Sequence, residues 1–497
     1  VVEPEGVATA SHRARRPHWR WKARGVRRAC ARLARQALLL LALGAGPVSA
    51  QINPWIANSV YNPEEWDSAG PETATPWLHP PPYKPGQGWG ILPPDSALQD
   101  GRWHHLTNLT GSWGGARDRL MERGIALSMA YFGQFAANPV GGEREGGTTW
   151  RGDTAVGLFA DLDRLAGLNR TYFTVTGDWK AGTESLTNAF IGNQLPVQLD
   201  NGDPTSTVRL VNLAVGHDLF DDSAEIVAGR VVTGEEFATL RLPCTSLNQG
   251  ICSIPIAAAQ SISFPTFPSA VWGGHFKLKP NTTWSAQVGS YLVFPGFRDA
   301  SDHGVNFGAP QGSGALTLAQ IMYLVGGAGT EHHTFPGRYI LGAYGDSERV
   351  TAVESQTPIY GTGGVYALGE QMLFAERPGS DVGLSAWLAL SWAPPNRNPV
   401  SNMAAGGLSY QGILPSRPWD GLAFIAAWSG YSQDLRRGQR QRGEPLQHGE
   451  ILLEINYRLS LARSFWIQPD IQGIIQPKGR TDIPDALAIG FAVGVVL

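Results

Sequence analysis

The stretch Ala486-Leu487-Ala488-Ile489-Gly490-Phe491-Ala492-Val493-Gly494-Val495-Val496-Leu497 alternates between two kinds of residue. Leu487, Ile489, Phe491, Val493, Val495 and Leu497 share one face, and the small residues Ala486, Ala488, Gly490, Ala492 and Gly494 share the other. Period two is the mark of an extended strand, because successive side chains point to opposite sides of a sheet. Two stretches upstream repeat it. In residues 450–459, Ile451, Leu453, Ile455, Tyr457 and Leu459 alternate with Glu450, Leu452, Glu454, Asn456 and Arg458. In residues 465–476, Ile467, Ile471 and Ile475 alternate with Gln468, Asp470, Gln472 and Gln476. Each stretch is about ten residues long, the span of a tilted strand crossing a bilayer, whereas strands of soluble proteins typically run to about five or six.

The connections fit the same reading. Residues 460–464 form a short turn, 477–485 a longer loop, and 432–449 a long polar loop with the basic run Arg436-Arg437-Gly438-Gln439-Arg440-Gln441-Arg442. Outer-membrane barrels alternate short periplasmic turns with longer outside loops, so a final strand ending at the periplasm puts this basic loop outside. Further strands are expected at 125–135, 171–180, 224–232, 275–279, 284–294, 382–392 and 421–431. Trp387, Trp392, Trp419, Trp428 and Trp466 lie in or near such segments, where aromatics suit an interfacial girdle. Region 295–363 reads as too rich in glycine and loops for its strands to be counted. The expected fold is all-β: a transmembrane antiparallel β-barrel, closed because an open edge would present unpaired groups to lipid.

Composition narrows the class. Charged residues make up 16 % of the 497, with 61 glycines and 17 tryptophans; soluble globular domains carry about 25 % charge. No apolar run is long enough for a spanning helix. A leader is expected over residues 1–50: a basic stretch from Arg13 to Arg35, the apolar run from Ala37 to Leu43, and Val48-Ser49-Ala50 before Gln51, with cleavage between Ala50 and Gln51. That segment holds ten of the 39 Lys+Arg and two of the 42 Asp+Glu, which leaves the exported chain at 29 against 40, a net charge of −11. Such a balance argues against a nucleic-acid partner. Residues 51–105, with Pro80-Pro81-Pro82 and Pro93-Pro94, read as a proline-rich periplasmic extension, and 106–497 as the barrel domain.

Cysteine usage agrees with export. Cys30 falls in the leader, while Cys244 and Cys252 remain, eight positions apart with Asn248 and Gly250 between them. An oxidising compartment favours a disulfide; a metal pair is the alternative, without a nearby His or third Cys to support it. His104-His105 and His332-His333 read as loop residues. No P-loop, dinucleotide fingerprint or nucleophile elbow is present, and no cofactor or metal is expected.

Three stretches carry a resemblance. One is Leu109-Thr110-Gly111-Ser112-Trp113-Gly114-Gly115-Ala116-Arg117, followed after a short helix by Glu122-Arg123-Gly124-Ile125. The second is Ala367-Leu368-Gly369-Glu370-Gln371-Met372-Leu373, with Gly406-Gly407-Leu408-Ser409-Tyr410-Gln411-Gly412 and Arg417-Pro418-Trp419-Asp420. The third is the run from Glu450 to Arg458, then Gln468-Pro469-Asp470-Ile471-Gln472 and Asp485-Ala486-Leu487. Over residues 106–497 the chain resembles the OprB-type carbohydrate-selective porins, and the Cys244/Cys252 loop after Gly229-Arg230 looks like the family's paired cysteines. The resemblance implies a barrel of sixteen strands, a monomer, and passive diffusion of glucose and related sugars. It also implies outer-membrane lipid and lipopolysaccharide as surroundings and the barrel-assembly machinery as the means of insertion. Leu497 stands where the family usually ends in an aromatic residue.

A sugar presents hydroxyls and a weakly apolar ring face, so a selective pore needs donors and acceptors that bind weakly enough to let it leave. Alternation places Glu454, Arg458, Gln468, Asp470 and Gln472 opposite an apolar face, and with Arg230 they are the candidates for lining the lumen and touching sugar. Their alternative role is to pair with one another and hold the wall. The disulfide either pins a loop folded into the lumen or simply stabilises that loop. Competing functions are a general or non-sugar porin, a barrel whose lumen is plugged, and an outer-membrane enzyme, for which no catalytic set is recognisable.

Overall fold

The computed structural model describes residues 108–200, 206–220, 223–252, 264–281, 283–294, 296–325, 335–376, 382–462 and 464–497. The expected leader with its Ala50–Gln51 site, the proline-rich stretch and both histidine pairs lie outside the described residues. Sixteen strands follow one another in the described residues: β1 (Ile125–Val140), β2 (Gly147–Asp161), β3 (Thr171–Gly182), β4 (Thr207–Leu219), β5 (Ala224–Val231), β6 (Val271–Leu278), β7 (Trp284–Val293), β8 (Gly314–Val325), β9 (Gly337–Thr351), β10 (Pro358–Ala375), β11 (Gly383–Trp392), β12 (Val400–Gln411), β13 (Gly421–Tyr431), β14 (Gly449–Ala462), β15 (Phe465–Ile475) and β16 (Ala486–Val496). Each pairs antiparallel with its chain neighbours, and β1 closes on β16 from Ala130↔Val496 to Val140↔Leu487. Closure leaves no strand edge to face lipid.

Antiparallel order sorts the connections into two ends. At one end lie L1 (141–146), L2 (183–206), L3 (232–270), L4 (294–313), L5 (352–357), L6 (393–399), L7 (432–448) and L8 (476–485). The other end carries mostly shorter turns, such as 220–223 and 463–464, and is therefore periplasmic. On β11, Leu388, Leu390 and Trp392 are exposed outside while Trp387, Ala389 and Ser391 are buried inside. Aromatics mark both rims. Trp284, Tyr323 and Tyr339 form a cross-strand row at the turn end, ring centroids 4.7 and 6.4 Å apart. Trp179, Trp392 and Trp428 are exposed toward the loop end.

Several expectations are corrected. Region 295–363 contains β8, β9 and the start of β10. Its glycines are strand residues that make room for large neighbours: a Cβ on Gly342 would sit 2.3 Å from the Tyr366 ring. Strands β2, β4 and β12 also lie outside the seven segments added to the C-terminal three. Trp387 and Trp466 face inward and are buried, so they belong to no girdle. The loop 432–449 contains a helix, which the basic run conceals. Taking α1 as Ala116–Glu122, α2 as Leu162–Ala166 and α3 as Thr233–Glu236, it is α4 (Gln433–Arg442). Ser432 Oγ accepts the Leu435 N–H at 3.0 Å, Asp434 lies in the first turn, Arg440 and Arg442 in the last, and Gly443 ends it at φ 70°.

The small face of β16 points inward. A Cβ on Gly494 would come within 2.1 Å of the Trp466 indole, its cross-strand neighbour. Chain closure is reinforced at the periplasmic end. Leu497 donates its N–H to Met129 O at 2.8 Å, and Arg117 of α1 donates from Nη2 to Leu497 O at 2.8 Å.

Candidate functional site

The inner wall of β14 and β15 presents a polar ladder. Glu454 stands opposite Gln472 and Asn456 opposite Asp470, all buried. What buries them is loop chain. L3 turns into the lumen, and its disulfide between Cys244 and Cys252 closes a small loop whose tip is Ser246-Leu247-Asn248. Glu454 accepts the Leu247 N–H at 2.9 Å and the Ser246 hydroxyl. Asn248 donates to Gln472 Oε1 at 2.9 Å, and Gln468 donates to Thr245 O at 2.8 Å. Gln472 donates to Val197 O at 2.9 Å and to Asp470 at 2.7 Å.

L2 shares this seat. Glu450 accepts the N–H groups of Gln194 and Leu195 at 2.6 and 2.7 Å, and that of Lys478 in L8 at 2.8 Å. On β1, Gln134 accepts the Leu199 N–H at 2.9 Å and donates to Val197 O and Leu247 O. The two loops are joined directly: Asn248 donates to Leu195 O at 3.1 Å and Gln249 N to Pro196 O at 2.9 Å. The far end of L2 is held by charge. Asp200 pairs with Arg151 at 2.7 Å and Lys180 at 2.6 Å. Burial pushes the Asp200 carboxyl up, but the Lys180 ammonium and Arg151 guanidinium outweigh it and hold the group below the usual carboxylate range.

The start of L3 is seated on the opposite flank. Glu370 of β10 accepts the N–H groups of Arg241 and Leu242, both at 3.0 Å. Gln320 of β8 accepts the Ala238 N–H at 3.0 Å. Between these polar ties the wall is apolar. Leu240 and Ile251 of L3 lie against Leu368, Trp387, Met403 and Ala405 of β10–β12. The lumen thus has a small core of its own, which drives L3 onto the wall by apolar burial.

The six candidate residues fall into three settings. Glu454, Gln468, Asp470 and Gln472 form the socket for the disulfide loop. Arg230 is fully buried on β5, with Nε 3.4 Å from Leu210 O and Nη2 3.8 Å from Asp302 in L4. Arg458 lies nearer the periplasm, its guanidinium 4.3 Å over the Trp466 ring and with no hydrogen bond among the described residues. Reading the sequence missed Glu370, Glu450, Gln134 and Asp200 as site residues. Glu450 was visible on the same polar face as Glu454. Glu370 is the lone acid of a largely apolar strand, and nothing in the sequence ties it to residues 241–242. Among the described residues no group of three or more His, Cys, Asp or Glu is placed to hold a metal.

A closed sixteen-stranded barrel with loops folded inward is the form of a porin, and the comparisons name which. The profile of the carbohydrate-selective porin, OprB family, matches residues 145–497. The chain belongs to that family. Porin B of Pseudomonas aeruginosa is 25 % identical over 419 residues, covering 78 % of this chain and 91 % of that one. A putative porin, QuiX, of Acinetobacter baylyi is 23 % identical over 418 residues, covering 80 % and 93 %. Among solved structures, the high-pH form of Pseudomonas putida OprB superposes with a TM-score of 0.74 at 22 % identity, covering 79 % of this chain and 99 % of that one. Membership in the OprB family makes the protein a carbohydrate-selective porin of the Gram-negative outer membrane, a channel rather than an enzyme.

Proposed function

We propose that the channel passes glucose and related neutral sugars passively, through the space that L2 and L3 leave beside them. The observation that carries this reading is the docking of the disulfide loop on Glu454, Gln468 and Gln472, which narrows the lumen with chain whose polar groups are already satisfied. A constriction of that kind offers few strong binding groups, as a conduit needs. Arg458 over Trp466 is the candidate that stays without a hydrogen-bond partner, and it is the sugar contact at the periplasmic exit. Arg230, Glu454, Gln468, Asp470 and Gln472 act mainly by holding loops.

The channel works as a single barrel, inserted by the assembly machinery and surrounded by lipid and lipopolysaccharide. Support comes from the outer face, where exposed large apolar side chains run around the wall, from Val156 and Val208 through Val288, Leu341 and Leu388 to Leu453 and Ile489.

Single-channel conductance of the refolded protein in a planar bilayer tests the reading. Discrete steps reduced by glucose but not by succinate are expected. Steps indifferent to both would make it a general porin. Folded protein without steps would make it a plugged barrel.

A further inference from the structure

Three glutamates on the inner wall repeat one arrangement. Glu450 accepts the N–H groups of the consecutive residues Gln194 and Leu195, and Glu370 those of Arg241 and Leu242. Glu454 accepts from Leu247 N and from the hydroxyl of Ser246 beside it. All three side chains are nearly or fully buried. Each therefore serves as an acceptor for neighbouring loop donors, and Glu370 turns its other oxygen toward Arg338, 3.7 Å away. A carboxylate suits this role because it only accepts and has room for several donors. At Glu450, where both oxygens accept backbone N–H groups, an amide would aim its own NH2 at one of them.

We propose that Glu370, Glu450 and Glu454 are positioning residues that set the aperture, and with it the sugar selectivity, by fixing L2 and L3 across the lumen. The inference rests on the reading of the protein as a sugar channel. Glu370 and Glu454 bracket the segment of L3 that crosses from β10 to β14, and Glu450 holds the adjoining part of L2. Because Asn248 ties L3 to L2, the three anchors govern one joined body. The sheet closes through its own strand ladders, so a loosened loop pair leaves the barrel intact.

The test is conductance and glucose block of Glu370→Gln, Glu450→Gln and Glu454→Gln, with Glu454→Asp as the conservative variant. The Gln variants are expected to fold, to show larger steps, and to lose glucose block, with Glu454→Asp between them and the parent. Leu247→Pro removes the N–H from the loop side and leaves the wall untouched, so it should reproduce Glu454→Gln even where a wall variant fails to fold. Unchanged step size and block in folded variants would overturn the proposal, as would a fall in thermal stability with conductance unaltered. A parent channel that glucose does not block sinks the sugar reading instead, and step size in salt alone then still decides whether the glutamates set the aperture.

Discussion

Asn248 donates to Oε1 of Gln472 at 2.9 Å, a bond between a loop tip and a barrel wall 224 positions apart. The tip can reach the wall in this form because the Cys244–Cys252 bridge closes the chain on either side of it. A covalent loop of this size adds about 2–4 kcal/mol to its own local stability.

Reduction, or Cys244→Ser with Cys252→Ser, should therefore loosen the L3 tip without unfolding the barrel. The expected readout is protease cleavage near residues 244–252 and noisier, larger conductance steps. An unchanged channel after verified reduction would mean that the wall bonds suffice alone.

Gly494 should tolerate no larger residue. With the Trp466 indole 2.1 Å from a built Cβ, Gly494→Val must displace the ring, at a cost of about 1–3 kcal/mol or more. Refolding midpoints in urea would show the loss. Adding Trp466→Ala should restore part of it, and a double variant no better than the single would point to strain elsewhere.

Arg458 and Asp470 should separate in their effects. Asp470 is bonded to Gln472 inside the socket, whereas Arg458 carries no such tie. Arg458→Ala should weaken glucose block with little change in step size. Asp470→Ala should alter step size first. Identical block in the parent and Arg458→Ala would remove this residue from sugar passage.

Asp200 predicts a pH dependence. A carboxylate held below its unfolded pKa of about 3.9 stabilises the native state above that value, and the contribution is lost as pH falls through the lower folded value. Asp200→Asn breaks a buried pair worth about 3–5 kcal/mol when one partner is removed. The melting difference between parent and Asp200→Asn should stay constant from neutral pH to about pH 4 and shrink below it. A difference that vanished already at pH 6 would contradict the pairing.

The aromatic row at the turn end predicts an effect on insertion. Trp284→Ala removes the 4.7 Å contact with Tyr323, worth about 0.5–1.5 kcal/mol beyond area burial. Folding yield into bilayers should fall, while sugar block should not change.

How much could be read in advance varied with the local pattern. β5, β7, β11, β13 and the last three strands fell within a residue or a few of their expected bounds, because one face is apolar and the other polar or small. β8 to β10 escaped, because glycines such as Gly342 stand where a packed tyrosine needs space and so break the alternation. α4 escaped because arginines and glutamines have no apolar period, and its Ser432 and Gly443 caps are local signals inside a polar run.

The sequence by itself determined the class of solution. Alternating strands of bilayer length, low charge and no spanning helix leave a closed sheet, since lipid offers no partner for an unpaired backbone group. It also placed Glu454, Gln468, Asp470 and Gln472 on the inner face, because side-chain direction along a strand depends only on position. Only the tertiary structure decided what those residues meet there. The partners of Glu454, Glu450 and Glu370 in L2 and L3 are N–H groups that lie from 128 to 256 positions away. Such meetings depend on how far the loops reach back into the barrel, and on an apolar patch from β10 to β12 that only exists once those strands stand side by side.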